Sequence, residues 1–337
     1  MKDSCLTGNC PDLTDRSINR VKISEGAGGV EMQRLIEDLK KYLPSSSSWK
    51  HTDNDSALFQ LDDKKILFTT DSYVVTPLFF RGGNIGKIAF CGTVNDLAVM
   101  GARPVGISLS LVLEEGFPKE ELYKIMQTIG EMSKKTGIPI VTGDTKVMEK
   151  RSVDKIIINT SGIGIAERVL DEPLQIGDKI IVSRGIGEHG AALLANRFAI
   201  ETQLETDSKP LWEEINAVQH LIKQAKDVTR GGLAAILNEL AQKIMFFIDE
   251  EKVPMQSEVQ ALTKILGIDV YSLASEGTFV CFASPKNAPL VLETLKRYNP
   301  LASIIGDVQA GKGVTVQTRF GKKNLPAPTG NLVPRIC

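Results

Sequence analysis

Apolar stretches of strand length alternate with stretches of helical period along this chain, and they do so in two successive sets. Nothing else in the sequence constrains the fold as strongly, because each half-apolar element must bury one face against a neighbour in a layered domain. The first set predicts strands at 57–61 and 66–70, a helix from Ile85 to Met100, a strand at 105–113, a helix at 120–135 and strands at 138–141 and 155–165. After a turn at Gly177-Asp178 the second set predicts a strand at 179–183 and helices near 189–199, 211–225, 231–243 and 286–298. Further strands fall near 245–249, 278–283, 302–308 and 313–318. The chain therefore reads as an α/β (α+β) protein of two mixed domains, 51–166 and 167–320, after an N-terminal arm and helix in 1–50. A length of 337 residues suits two such domains.

The last segment, 321–337, is different in kind. Pro326, Pro328 and Pro334, with Gly321 and Gly330, argue against regular structure, and the chain closes on Cys337. Seventeen extended residues reach roughly 55 Å. A thiolate on such an arm can carry an acyl-type group between sites, although a frayed tail ending in cysteine is the plainer alternative.

Charge narrows the choice of partners. Forty Lys+Arg stand against 41 Asp+Glu, so no basic face for nucleic acid is expected. No apolar run reaches the roughly 18 residues of a membrane span, and the first residues lack the apolar core of a signal. Five cysteines (Cys5, Cys10, Cys91, Cys281, Cys337) are too sparse for a disulfide framework, so a reducing cytoplasmic setting is expected. Cys91 and Cys281 lie in apolar segments and read as core. Three histidines, His51, His189 and His220, do not make a His-rich metal site.

Two glycine motifs resemble nucleotide loops without completing them. Gly185-Ile-Gly-Glu-His-Gly190 fits G-x-G-x-x-G between a strand and a helix, but the next strand of a dinucleotide unit is missing. It reads as a tight strand-to-helix turn. In Gly82-Gly-Asn-Ile-Gly86-Lys87 the first glycine is one residue too close, and Ile88 stands where a phosphate loop needs Ser or Thr.

Aspartates at the ends of predicted elements offer another route to phosphate. Asp55 opens a strand, Asp71 ends one, Asn95-Asp96 interrupts an apolar helix, Asp144 follows a strand in Gly-Asp-Thr-Lys146, and Asp227 precedes Arg230-Gly-Gly. Magnesium takes carboxylate oxygens and bridges phosphates, so this set with Lys146 and Arg230 suits ATP without a phosphate loop. Taken singly, each aspartate is equally a helix cap or turn former. The Asn95-Asp96 pair resists that account, since burying it without partners costs several kcal/mol. Glu276, between apolar flanks, is a candidate base or an ordinary loop carboxylate.

Together these segments resemble the HypE family of hydrogenase maturation proteins, within the aminoimidazole ribonucleotide synthetase-like superfamily. The resemblance runs from about residue 21 to 337. It is most specific in Thr-Thr-Asp71-Ser-Tyr-Val-Val-Thr-Pro-Leu-Phe-Phe, Cys-Gly-Thr-Val-Asn95-Asp96-Leu-Ala, Leu-Glu-Glu-Gly-Phe-Pro, Gly-Asp144-Thr-Lys146-Val and Pro334-Arg-Ile-Cys337. It implies two mixed α/β domains of the synthetase type, with N-terminal domains pairing into a barrel in a homodimer. It also implies ATP held with magnesium by Asp55, Asp71, Asn95, Asp96, Asp144 and Asp227, while Lys146 and Glu276 face a reacting thiol. The implied reaction starts from a carbamoyl group delivered to Cys337 by the carbamoyltransferase HypF. ATP-dependent dehydration gives a thiocyanate, and the cyano group passes to iron on the HypC–HypD complex. One departure stands out: Glu25 precedes Gly26-Ala-Gly-Gly where the family usually has histidine. Two other readings stay open, a small-molecule kinase of the same fold with an idle tail and a carrier that uses no ATP.

Overall fold

The computed structural model describes residues 20–44, 46–329, 333, 335 and 336. Cys5, Cys10, Pro334 and Cys337 lie outside the described residues. After helix α1 (Val30–Lys40), the N-terminal domain contains strands β1 (Trp49–Lys50), β2 (Ala57–Leu61), β3 (Lys64–Tyr73), β4 (Phe79–Phe80) and β5 (Gly83–Asn84). Helix α2 (Ile85–Val99), β6 (Arg103–Glu114), α3 (Lys119–Thr136), β7 (Ile140–Met148) and β8 (Ile156–Ala166) complete it. Its sheet has the order β1-β2-β3-β8-β6-β7, parallel only between β6 and β7. The α3 crossover supplies the length that a parallel pair requires.

The C-terminal domain comprises β9 (Lys179–Val182), α4 (Glu188–Arg197), α5 (Trp212–Val218), β10 (Ile222–Asp227), α6 (Gly232–Leu240) and β11 (Met245–Asp249). It continues with α7 (Ser257–Leu266), β12 (Phe279–Ala283), α8 (Ala288–Lys296), β13 (Ser303–Gln309), β14 (Gly313–Thr318) and β15 (Gly321–Asn324). The sheet order is β10-β12-β9-β13-β11-β14-β15. Every residue of β12 is buried, as its unbroken apolar run Phe-Val-Cys-Phe-Ala requires of a strand covered on both faces.

Helix α2 joins the two domains. Asn84 caps it, accepting from the Gly86 and Lys87 amides at 2.9 and 3.2 Å, which satisfies two otherwise orphaned donors. Thirteen of its fifteen residues are buried, because it packs on β3 and β8 on one side and on α5 and β10 on the other. The exceptions are Lys87 and Asp96. Gly92 is required here: a Cβ would collide with the Tyr73 hydroxyl, so β3 and α2 could not approach as closely.

Several sequence expectations need correction. Asp71 lies inside β3 and Asp144 inside β7, because both strands run past the aspartate to pair with their neighbours. The expected helix 211–225 stops at Val218, and residues from Ile222 onward form β10. Pairing with the apolar β12 there outweighs local helix preference. Helix α7 was not anticipated. Val259 and Leu262 bury its inner face, amid polar residues that mask the period. The last segment begins as β15 on β14, since Gly321–Asn324 precede the first proline and keep their amide donors.

The sheet of the N-terminal domain leaves one face open. Phe68, Val141 and Ile163 are exposed there, and 141–147 of the edge strand β7 are exposed throughout. Among the described residues no helix is long and apolar enough to cross a membrane.

Candidate active site

A cavity of about 660 Å3 opens between the domains. Its walls come from β3, the α2 face at Gly92 and Asp96, the end of β10, the α6 residues Ala235, Ile236, Asn238 and Glu239, and the glycine segment at Gly28-Gly29. Gly28 (φ +83°) passes so close to the Arg230 main chain that a Cβ would press on its carbonyl. Backbone alone therefore forms that rim, the type of surface that lets a phosphate chain come near amide groups.

Six of the residues singled out from sequence meet in this cavity: Asp55, Asp71, Asp96, Asp227, Arg230 and Glu276. They arrive from both domains. Thr69 donates its hydroxyl to Asp96 at 2.8 Å, and the Tyr73 hydroxyl donates to Asp71 at 3.3 Å. The Lys226 ammonium bridges Asp55 and Glu239, both at 3.0 Å. Burial pulls the Lys226 pKa down, but the two carboxylates more than reverse this, so the ammonium stays charged.

The carboxylates are electrostatically unsatisfied. Burial, reinforced by Asp55, pushes Asp227 up to about 8. Burial also raises Glu276 to about 8, with Asp227 and Asp207 adding to the effect and Arg230 opposing it. Asp96 is pushed well above the carboxylate range by burial and by Asp71. Asp55 Oδ2, Asp227 Oδ2 and Glu276 Oε1 are buried without a hydrogen-bond partner. Oxygen atoms left in this condition fit a hard cation carried in with a polyphosphate. They do not form a closed metal centre by themselves, for among the described residues no three His, Cys, Asp or Glu converge in that way.

This has a consequence for stability. Asp227 and Glu276 bind protons more tightly in the folded state than in the unfolded chain. Their contribution is complete below about pH 4 and is lost as pH rises through about 8. Thermal melting of the nucleotide-free chain is therefore expected to fall between about pH 5 and pH 8.5. A melting temperature that rose across that window would contradict this electrostatic picture.

The remaining sequence candidates lie elsewhere. Asn95 does not line the cavity. Its amide donates to the carbonyls of Lys209 at 3.1 Å and Glu276 at 3.2 Å, and its oxygen accepts from the Leu211 amide at 2.8 Å. It fastens the domains together and satisfies its own polarity. Asp144 and Lys146 are exposed on β7, outside the cavity. Cys337 lies outside the described residues. Sequence reasoning missed Lys226, whose signal was a lysine beside Asp227 in a strand facing the core. It also missed Thr69 and Tyr73, which flank Asp71 at the two-residue spacing of one strand face.

Residues 53–166 match the family described as AIR synthase related protein, N-terminal domain, and 175–319 match its C-terminal domain. The carbamoyl dehydratase HypE of Rhizobium leguminosarum bv. viciae is 40% identical over 340 residues, covering 96% of this chain and 97% of that protein. The chain belongs to the HypE family of carbamoyl dehydratases. Among solved structures of the HypE family, HypE in a HypE–HypF complex superposes with a TM-score of 0.81 at 37% identity, covering 87% of this chain and 99% of the other. A HypE structure in complex with ATP gives 0.78 at 32% identity, covering 94% and 99%. The two-domain architecture expected from sequence is thus the HypE architecture.

Proposed function

We propose that this chain dehydrates a carbamoyl group carried on its own Cys337 to a thiocyanate, using ATP, and so supplies the cyanide ligand for NiFe-hydrogenase iron centre assembly. The observation that carries this reading is the interdomain cavity, where four aspartates and the unpartnered Glu276 oxygen converge beside a glycine rim. Its support from relatives is a protein named carbamoyl dehydratase and a solved HypE bound to ATP.

The chemistry follows from the leaving group. An amide oxygen departs poorly, so ATP first phosphorylates the thiocarboxamide oxygen on Cys337, releasing ADP. Loss of that oxygen as phosphate, with removal of the two amide protons, leaves the C≡N bond on sulfur. Glu276, whose pKa burial pushes up to about 8, is when ionised a stronger base than an ordinary glutamate, and it takes a proton from the amide nitrogen. Asp55, Asp71, Asp96 and Asp227 would hold magnesium. When bound, that ion neutralises charge between the phosphates and this cluster. Arg230 lines the same space and adds positive charge for the phosphate chain.

Pairing of two chains through the open sheet face would cover Phe68, Val141 and Ile163 and take Asp144 and Lys146 out of solvent. This homodimer is the arrangement in which Lys146 can serve the reacting group. HypF is the carbamoyl donor in this reading, the HypC–HypD complex is the cyanide acceptor, and the setting is the cytoplasm. An isotope experiment tests the phosphorylation step. With oxygen-18 in the carbamoyl group, the label is expected in the phosphate released from ATP. Label recovered only in water would overturn the step.

A further inference from the structure

The last described residues of the chain are held by their main chain. The Arg335 carbonyl accepts from the Thr76 amide at 3.2 Å and from the Arg197 guanidinium at 2.6 Å. Next along, and directly before Cys337 in sequence, the Ile336 carbonyl meets His189 Nε2 at 2.8 Å. His189 is fully buried in the first turn of α4, with its ring edge against Phe80. A carbonyl can only accept, so Nε2 carries the proton. Burial lowers the basicity of the imidazole, leaving Nδ1 as an acceptor. The Thr206 hydroxyl therefore donates to Nδ1, at 2.7 Å. Thr206 is itself fixed, through its amide to the Arg81 carbonyl and through its hydroxyl oxygen to the Ser208 amide.

The residue that follows Thr206 performs a second task. Asp207 is buried and accepts three hydrogen bonds of 3.0 Å, from the amides of Glu276 and Gly277 and from the Thr278 hydroxyl. Gly277 admits no side chain, since a Cβ would run into the Asp207 carbonyl. On its other side the Glu276 carbonyl accepts from Asn95. The main chain of Glu276 is thus gripped at both its amide and its carbonyl, while Oε1 remains unpartnered toward the cavity. Neither Asp207, Thr206 nor His189 lines that cavity, so ATP binding does not explain this buried network.

We propose that the consecutive pair Thr206-Asp207 is a positioning element for the reaction. Thr206, through His189, fixes the main chain immediately before Cys337, and Asp207 fixes the main chain of Glu276, so thiol end and base share one register. The inference rests on the dehydration reading and on Glu276 as the base. Its physical basis is that displacing a reacting group by about 1 Å can cost on the order of 100-fold in rate, even when the displaced support is outside the site.

Single-turnover dehydration of the carbamoylated full-length chain tests it, with the KM for ATP measured alongside. Asp207→Asn keeps the side chain's size but offers one acceptor oxygen in place of two. It is expected to lower the dehydration rate constant by on the order of 100-fold with the ATP KM unchanged. His189→Phe is expected to lower it by about tenfold, and His189→Gln to recover much of that loss, because its amide can again donate to the Ile336 carbonyl. Thr206→Val removes only the hydroxyl and serves if either larger change prevents folding; it is expected to slow the step several-fold. Wild-type rate constants in Asp207→Asn and Thr206→Val would overturn the proposal, as would parallel losses in ATP affinity and rate. The underlying reading fails differently: Cys337→Ala would then retain its ATP-driven turnover, whatever the Thr206 and Asp207 variants do.

Discussion

Glu276→Gln is expected to slow dehydration by roughly 10²–10⁴-fold while leaving carbamoyl transfer onto Cys337 intact. The magnitude follows from the loss of a positioned general base. The selectivity follows from where Glu276 sits. Its carboxyl is buried, has one oxygen without a partner, and faces the cavity between the domains. Burial raises its pKa to about 8, so it holds a proton strongly enough to accept one from an amide nitrogen. Glutamine keeps the shape and cannot take the proton. A chain that accumulates the carbamoyl adduct but converts it slowly, measured by quenched time points, is the expected result. Unchanged conversion would remove Glu276 from the mechanism and transfer the task to another group.

Cys337→Ala is expected to have a larger effect still, abolishing both the carbamoyl adduct and the ATP consumption that depends on it. The main chain that leads to this residue is anchored: Val333 and Ile336 are buried, and the last two described carbonyls are both hydrogen bonded. The substitution changes none of the described residues that line the cavity, so ATP binding measured by calorimetry is expected to match that of the unaltered chain. The same variant separates the alternatives left open by the sequence. A small-molecule kinase with an idle tail would keep its turnover. A carrier that uses no ATP would lose its adduct too, but it would tolerate Asp71→Ala, which takes a carboxylate out of the cavity wall. Here Asp71→Ala is expected to suppress dehydration as well.

Much of this organisation was legible before the structure. Strand β2 was bounded to the residue, and α2, α3, β6 and β8 to within two, because their apolar periods run long enough to outweigh noise at the ends. The cavity aspartates could be found because Asp55, Asp71 and Asp227 stand at the ends of predicted elements, and Asp96 interrupts an apolar helix where a carboxylate is costly. What stayed hidden depended on pairing across the chain. β10 takes its strand form from β12, some fifty residues downstream, and β15 from its hairpin with β14. Asn95 carries the same polar signal as Asp96, yet it points across the domain junction, because neighbouring helix positions face about 100° apart. Asp144 and Lys146 keep their motif but lie on an exposed edge strand of the single chain. In the proposed function they reach a reacting group only through a second copy, which no property of one sequence segment reveals. Asp207 and His189 gave no sign at all, since their partners are main-chain groups distant in sequence.

The most direct test of the central claim is the intact mass of the full-length chain. HypF, carbamoyl phosphate and a limiting amount of ATP load it, the remaining nucleotide is removed, and ATP is then restored. The carbamoyl adduct of about 43 Da that remains on Cys337 after removal is expected to persist until ATP returns and then to convert to a cyano adduct of about 25 Da. An adduct on another residue, or conversion to the lighter species without ATP, would contradict the account.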